Sequence, residues 1–276
     1  MTDLYAVIGN PIAQSKSPFI HKSFAEQSGQ DLDYVAILGE PGRFREQIDD
    51  WRARGLRGLN ITAPFKLDAF AYATDLSPEA ETAGAVNCLT FTGETARGDN
   101  FDGVGLVRDI IANLGTEICG RRLLLLGSGG ATRGALSPLL QQAPKKLVVA
   151  HRSDEAAAAL AALFPPDPAL EFKRYDALAP AEDSKFDLIL NATSSSLHGA
   201  APPVPPYVFG VDSLAYDLTY GKGLTPFLRL AREAGTKRVV DGVGMLVEQA
   251  AEAFALWRGV RPDTKPLIEK LTVPLT

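Results

Sequence analysis

Hydrophobic and polar positions alternate along the chain in two recurring patterns. Short runs rich in Val, Ile and Leu are separated by longer stretches in which apolar residues recur every three or four positions. The first pattern is typical of buried strands and the second of amphipathic helices, so their alternation predicts an α/β protein with parallel sheets. The predicted strands are Leu4–Ile8, Tyr34–Leu38, Leu56–Ile61 and Val86–Phe91 in the first half, and Leu123–Leu126, Leu147–Ala150, Leu188–Leu190 and Leu214–Asp217 in the second.

Two apolar stripes at helical spacing mark particular helices. Phe44, Ile48 and Trp51 predict an amphipathic helix in the first half. A second stripe lies near the end of the chain, and we expect its residues to pack in a core. Its members are Leu246, Ala250, Ala253 and Trp257.

Length, charge and cysteine content narrow the class of protein. A chain of 276 residues suits two compact domains, and a net charge of -5 argues against a general nucleic-acid binder. The sequence has neither a signal-like start nor an apolar run near membrane-spanning length, so we expect a cytoplasmic protein. Cys88 and Cys119 are far apart, and we expect neither a disulfide nor a metal site.

A glycine-rich turn follows the strand Leu123–Leu126 and precedes a helical pattern. Glycines there permit a tight turn and let backbone N–H groups approach a pyrophosphate, although an ordinary strand-to-helix turn is the alternative. Thr132 occupies the third glycine position of the usual dinucleotide fingerprint. The predicted phosphate-binding residues are Gly127, Ser128, Gly129, Gly130 and Ala131.

The end of the next strand bears on the choice between NADP and NAD. An NAD enzyme usually carries Asp or Glu there, whereas this chain has His151, Arg152 and Ser153. Arg152 offers a guanidinium fork for a 2′-phosphate and Ser153 can donate, which favours NADP and leaves NAD as a weaker or alternative cofactor. A solvated charge at a strand end is the other interpretation of Arg152. Asn191–Ser196 follows a later strand and is either a ligand-binding loop or a simple turn.

Polar side chains in the first half suit a substrate with several hydroxyl groups. They include a lysine, a carboxylate, amides and hydroxyls. Ser15 and Ser17 could together bind one carboxylate, or Ser17 could be a plain helix N-cap. The segments are Gly9–Pro18, Asn60–Lys66, Ala83–Asn87 and Gly98–Gly103.

Taken together, eight ordered segments resemble the shikimate dehydrogenase family. They are SKSP, NITAPFK, AGAVN, GDNFDG, GSGGATRG, NATSS, YGKGLTPFL and DGVGMLVEQAA, and the resemblance runs from about residue 5 to residue 262. It implies reversible NADP-dependent reduction of 3-dehydroshikimate to shikimate, in aromatic amino-acid biosynthesis. It also implies an N-terminal α/β substrate domain (residues 1–102 with 240–276), a Rossmann-like NADP-binding domain (103–239) and a cleft between the two.

The resemblance also implies roles for individual residues. Lys66 and Asp102 would be the catalytic pair. The substrate would be bound by Ser15, Ser17, Asn60, Thr62, Asn87, Tyr220 and Gln249. The cofactor would contact the glycine-rich turn together with His151, Arg152, Ser153, Asn191, Thr193, Leu218 and Gly242.

The chemistry of ketone reduction agrees with the roles of the pair. Hydride arriving at a carbonyl carbon puts negative charge on the oxygen, so a positioned proton donor lowers the barrier. The Lys66 ammonium can stabilise that oxygen and then protonate it. Asp102 would keep the lysine charged and hydrogen-bond a neighbouring substrate hydroxyl.

Two departures from the family pattern keep alternatives open. Phe101 stands where the family usually has threonine, and Ala156 stands where it commonly has a second arginine. We therefore also consider a dehydrogenase of quinate or a related cyclic hydroxy acid, and a weaker preference for NADP than two arginines would give. A non-catalytic nucleotide sensor is a third hypothesis. The presence of the full polar set argues against it: Lys66, Asp102, Asn87 and Gln249. We expect a small-molecule substrate, no nucleic-acid, membrane or metal partner, and a monomer or homodimer.

Overall fold

The computed structural model describes residues 2–180 and 185–275, and the chain divides into two compact units. Unit 1 holds the residues up to Gly105 together with Val247–Leu267, and unit 2 holds Leu106–Leu246 together with the chain from Ile268 onward. Residues 240–246 thus group with unit 2, whereas the sequence placed them in the substrate domain. The domain limits stay a prediction.

Helices and strands alternate throughout the described residues. The strands are β1 Asp3–Gly9, β2 Leu32–Leu38, β3 Leu56–Ile61, β4 Asp75–Leu76, β5 Cys88–Thr92, β6 Thr95–Asp99, β7 Arg122–Leu126, β8 Lys146–His151, β9 Leu170–Arg174, β10 Leu188–Asn191, β11 Leu214–Asp217 and β12 Arg238–Asp241. The helices are α1 Ser17–Ser28, α2 Phe44–Ala53, α3 Lys66–Tyr72, α4 Pro78–Ala83, α5 Asp102–Arg108, α6 Gly130–Leu140, α7 Asp154–Ala161, α8 Pro226–Glu233, α9 Val243–Arg258 and α10 Lys265–Leu271.

Unit 1 contains a mixed sheet with the strand order β2-β1-β3-β5-β6-β4. β1 is parallel to β2 and β3, but β5 is antiparallel to both β3 and β6. The prediction of parallel strands throughout is therefore wrong at β5. Two residues, Gly93 and Glu94, separate β5 from β6, and a connection this short can only join antiparallel neighbours.

Unit 2 contains a six-stranded parallel sheet with the order β12-β11-β10-β7-β8-β9. The chain enters at β7, adds β8 and β9 on one side, and then adds β10 to β12 on the other. This is the Rossmann order, in which ligands bind at the carboxyl ends near the reversal between the first and fourth strands. The four leucines of β7, Leu123–Leu126, are fully buried, as a central parallel strand requires.

The later helix α9 supplies part of the core. Ala250 and Ala253 are fully buried, as predicted, while Leu246 and Trp257 are half-buried. The Trp257 ring stacks on Tyr5 of β1 with 4.8 Å between ring centroids. The last turn of α9 is therefore fixed to the first strand of unit 1.

Some classes of feature are missing from the described parts of the chain. No helix in them combines the length and the apolar character needed to cross a membrane. No group of three or more His, Cys, Asp or Glu side chains there is arranged to hold a metal ion. Cys88 and Cys119 are both free thiols.

Candidate active site

One edge of the unit 1 sheet collects most of the residues predicted to bind substrate. β1, β3 and β6 end at this edge, and the antiparallel β5 begins there. The loops after β1 and β3 are joined by a hydrogen bond from the Asn10 N–H to the Ala63 carbonyl, 3.1 Å long. The side chains that follow these strand ends are Ser15, Ser17, Thr62, Lys66 and Asp102, and Asn87 lies directly before β5.

Lys66 and Asp102 form an ion pair at this edge. The Lys66 Nζ lies 2.5 Å from the Asp102 Oδ2, and the two side chains are 34% and 19% exposed. Each residue is the first of a short helix that starts just beyond a strand, α3 after β3 and α5 after β6. The structure therefore brings the predicted catalytic pair together and leaves about a third of the lysine side chain exposed.

Asn87 fixes the position of the Asp102 carboxylate. Its Nδ2 donates to the Asp102 Oδ1 over 2.9 Å, and its Oδ1 accepts the Phe101 N–H over 2.9 Å. Asn100 adds a third restraint because its Oδ1 accepts the Asp102 N–H over 3.1 Å. Both carboxylate oxygens of Asp102 therefore have a partner, and Asn100 is a site residue that the sequence did not single out. The half-buried Phe101 takes part through its backbone.

Asn60 is buried and belongs to the same network. Its Oδ1 accepts the hydroxyl of Tyr34 over 2.7 Å, and its Nδ2 lies 3.5 Å from the Asn87 carbonyl. Thr62, two residues further on, is exposed. Asn60 thus links Tyr34, which sequence reasoning missed, to Asn87.

The serine loop before α1 has its own internal contact. The Ser15 Oγ accepts the Ser17 N–H over 3.3 Å. α1 begins at Ser17, and Lys16 occupies the N-cap position without a capping side-chain hydrogen bond. The interpretation of Ser17 as a plain N-cap is therefore wrong.

Two predicted substrate residues lie further along the chain. Gln249 is half-buried on the part of α9 that belongs to unit 1. Tyr220 belongs to unit 2, in the loop after β11, and is 41% exposed.

The glycine-rich turn of unit 2 has the form of an anion-binding loop. Gly127 has a φ of 103°, which favours glycine, and α6 begins at Gly130 without a side chain capping its first N–H groups. A Cβ placed on Gly129 or Gly130 would meet no atom within 4 Å. Unpaired helix N–H groups beside open space suit a pyrophosphate, so the residues present fit the phosphates of a dinucleotide.

Thr132, in the third glycine position, supports the turn from within. Its side chain is fully buried, and its Oγ1 donates to the Gly127 carbonyl over 2.8 Å. The threonine therefore closes the turn on itself, and Ser128 and Ala131 remain at its accessible side.

Asp217 organises the loops after β10 and β11, and it was not among the predicted site residues. This fully buried carboxylate accepts hydrogen bonds from Asn191 over 3.2 Å and from Ser196 and Thr225 over 2.6 Å each. Asn191 in turn accepts the N–H and the hydroxyl of Thr193. The sequence signal was present, since an acidic residue ends an otherwise apolar strand.

Leu218 and Gly242 meet next to this cluster. A Cβ on Gly242 would lie 2.3 Å from the Leu218 carbonyl oxygen, so only glycine fits there without a backbone shift. The cofactor residues predicted after β10, β11 and β12 therefore adjoin one another.

The end of β8 holds the residues predicted to select the cofactor. His151 is buried, Arg152 is exposed, and the Ser153 Oγ caps α7 by accepting the Ala156 N–H over 3.1 Å. Arg174, at the end of β9, donates to the Arg152 carbonyl over 3.2 Å and to the Asp154 carboxylate over 3.1 Å. Arg174 thus neutralises the acidic residue that would otherwise repel a 2′-phosphate near Arg152.

Tyr175 lies beside the same strand end. Burial raises the pKa of its hydroxyl to about 12, and the nearby Arg152 guanidinium opposes that rise. Arg174 and Tyr175 are more than twenty positions from Arg152, and only the pairing of β8 with β9 places them there.

Comparisons with known proteins agree with this geometry. The chain matches the shikimate dehydrogenase substrate binding domain over residues 7–89 and the shikimate 5′-dehydrogenase C-terminal domain over residues 242–272. It is 52% identical to the shikimate dehydrogenase (NADP(+)) of Nitrosospira multiformis, over 98% of each chain.

Solved structures extend the likeness to the fold. An Ael1 enzyme from Pseudomonas putida is 53% identical over 100% of both chains, with a TM-score of 0.95. The shikimate 5-dehydrogenase of Thermus thermophilus, in complex with NADP(H) and shikimate, is 32% identical over 97% of this chain and 98% of its own, with a TM-score of 0.85. With half of its residues identical to those of a relative along nearly its whole length, this chain belongs to the shikimate dehydrogenase family.

Proposed function

We propose that this protein catalyses the reversible reduction of 3-dehydroshikimate to shikimate with NADPH. The observation that carries the proposal is the Lys66–Asp102 pair, held by Asn87 at the edge of the unit 1 sheet. The relatives named as NADP-dependent shikimate dehydrogenases support both the substrate and the cofactor.

The chain's own residues move the proton in this reaction. When bound, the nicotinamide supplies or accepts a hydride at the carbonyl carbon of the substrate. Lys66 lies within reach of a ligand, so its ammonium stabilises the charge that develops on the carbonyl oxygen and then donates a proton to it. In the oxidation direction the neutral amine takes the same proton from the hydroxyl. Asp102 hydrogen-bonds the lysine and a neighbouring substrate hydroxyl, which holds the substrate carbonyl next to the Lys66 Nζ.

The remaining polar residues position the two ligands. Hydroxyls of Ser15 and Ser17 bind the substrate carboxylate, and the substrate hydroxyls contact Asn60, Thr62, Asn87, Tyr220 and Gln249. The glycine-rich turn at Gly127 binds the pyrophosphate. Arg152 and Ser153 bind the 2′-phosphate, and the other cofactor contacts come from His151, Asn191, Thr193, Leu218 and Gly242.

A spectrophotometric assay tests the proposal directly. Nicotinamide absorbance is followed with shikimate or quinate as substrate and NADP or NAD as cofactor. We expect the highest kcat/KM for shikimate with NADP. A higher kcat/KM for quinate would favour the alternative substrate. Equal kcat/KM with NAD and NADP would reject the cofactor assignment. No turnover with any pair would reject the proposed dehydrogenase activity.

We also propose that the enzyme acts in the cytoplasm, as a monomer or homodimer, with small molecules as its ligands. Light scattering after size-exclusion chromatography gives the mass of the particle. A trimer or larger assembly would contradict the expected state.

A further inference from the structure

Behind the substrate residues of unit 1 lies a buried aromatic side chain that hydrogen-bonds one of them. Tyr34 projects from β2, is 2% exposed, and reaches across β1 to Asn60 on β3. Its hydroxyl donates to the Asn60 Oδ1 over 2.7 Å. Burial raises the pKa of this hydroxyl well above its usual value, and the nearby Ser17 side chain opposes that rise.

The ring of Tyr34 is held in place by α1. His21 stacks on it with 4.2 Å between ring centroids and an angle of 8° between the planes. Ser17 and His21 are four residues apart on α1, so they lie on the same face of the helix. The phenol therefore has a fixed ring and a hydroxyl that stays protonated.

We propose that Tyr34 is a positioning residue that orients Asn60 for substrate binding. The inference rests on the proposed function, because Asn60 is assigned to the substrate there. Asn60 is buried, so removal of the Tyr34 hydroxyl leaves its Oδ1 without the donor that sets its orientation. The Asn60 Nδ2 also contacts the backbone carbonyl of Asn87, and the Asn87 side chain donates to Asp102. A series of contacts thus leads from Tyr34 to the ion pair.

The variant Tyr34→Phe removes the hydroxyl and keeps the ring and its stack. If Asn60 binds a part of the substrate that does not change in the reaction, its misplacement raises KM and leaves kcat nearly unchanged. We expect the KM for shikimate to rise about three- to tenfold, the range of one hydrogen bond, with kcat within about twofold and the KM for NADP unchanged. A KM for shikimate within twofold of the wild-type value would overturn the proposal.

A matched control and a double-mutant cycle separate positioning from general support. Tyr72 is another buried tyrosine of unit 1, and its hydroxyl bridges Asp49 and Arg52. Tyr72→Phe should lower the melting temperature without raising the KM for shikimate. In the cycle, Tyr34→Phe should add little to the KM of Asn60→Ala, and fully additive effects would reject the link through Asn60.

A crystal structure of Tyr34→Phe without ligand gives a readout that does not depend on the reaction. We expect the Asn60 side chain to rotate or to lose its single conformation. An unchanged Asn60 would reject the positioning role even if the protein turns over another substrate. A displaced Asn60 in a protein that does not bind shikimate would instead support the positioning role and reject the proposed substrate.

Discussion

The Lys66 side chain stays 34% exposed although its Nζ lies 2.5 Å from the Asp102 Oδ2. A lysine that is ion-paired and also partly exposed can donate a proton and be reprotonated afterwards. We predict that Lys66→Ala lowers kcat by about 10²–10⁴-fold, the usual contribution of a positioned acid–base group, while the KM for shikimate changes little. Steady-state kinetics measure both.

A second lysine serves as the control for that variant. Lys22 is exposed on α1 and takes no part in the ion pair, so Lys22→Ala should leave kcat unchanged. An undiminished kcat for Lys66→Ala would remove the lysine from the mechanism.

His21 makes the stability of the protein depend on pH. Complete burial lowers the pKa of this imidazole from 6.5 to about 3. Below pH 6.5 the unfolded chain takes up a proton that the folded chain does not, so acid favours unfolding. We predict that stability attributable to His21 is lost as the pH falls from about 6.5 towards 3, by at most about 1.4 kcal/mol per pH unit.

Urea unfolding of the wild type and of His21→Leu at several pH values isolates this effect. Every other titrating group contributes to both proteins, so the unfolding free energy of the wild type minus that of the variant should decrease as the pH falls. A difference that stays constant with pH would contradict the prediction.

Single side chains were predictable from the sequence only where a motif carried them. Lys66, Asp102 and Asn87 belong to segments that the family resemblance covers, and the structure brings them together. Tyr34 sits in an ordinary strand pattern, and its role depends on which residue it meets two strands away. Spacing along the chain contains no information about such a contact.

Two glycines near strand ends are expected to respond differently to the same substitution. Gly130 begins α6 beside open space. At Gly242, by contrast, an added Cβ would lie only 2.3 Å from the Leu218 carbonyl oxygen. Gly130→Ala should therefore leave the melting temperature unchanged or slightly raised, yet weaken NADP binding because the methyl group occupies the space of the pyrophosphate.

Gly242→Ala should instead cost about 1–3 kcal/mol of stability, the usual penalty of overpacking a site that cannot yield. Calorimetric melting and NADP titration distinguish the two variants. Equal melting temperatures for both would contradict the steric argument.

At the level of strands and helices, the sequence predicted the apolar strands and missed the polar or short ones. β4 has two residues, and β6, with the sequence TARGD, lacks an apolar run. The direction of β5 was wrong because the pattern of a strand does not reveal its direction. That direction matters for the site, since an antiparallel β5 begins, with Asn87 just before it, at the edge where β6 ends before Asp102.

Across the full chain, the predicted contacts of the two ligands fall largely in separate units. Arg152 of unit 2 is predicted to bind only the 2′-phosphate, which NAD lacks. We predict that Arg152→Ala weakens NADP binding by about tenfold or more, the scale of a charged hydrogen bond, and leaves the affinity for NAD unchanged. Arg229→Ala, an exposed arginine on α8, is the control.

Thermal shifts report this separation without turnover. A ligand present at a hundred times its Kd adds about 2.7 kcal/mol to the unfolding free energy, so NADP should stabilise the wild type and, at the same concentration, stabilise Arg152→Ala much less. The shift caused by shikimate should persist in the variant. Loss of the shikimate shift as well would show that Arg152 affects more than the cofactor.

The two-domain α/β organisation was predictable, and comparison with solved structures confirms it. The place where the chain returns to unit 1 was not. α9 runs from Val243 to Arg258 as one helix, and the division between the units falls inside it, before Val247. An uninterrupted helical pattern does not reveal which of its turns packs in which unit.

That return has a consequence for how the protein is made. Arg258 pairs with Asp3 over 2.6 Å, and Trp257 stacks on Tyr5, so β1 receives these partners some 250 residues after its own synthesis. Domains usually fold in the order in which they leave the ribosome. Here unit 1 cannot complete its packing until α9 has been made. By then nearly all of the chain that forms unit 2 has been synthesised. A released chain that ends at residue 246 is therefore expected to keep a protease-resistant second unit while its N-terminal region is digested.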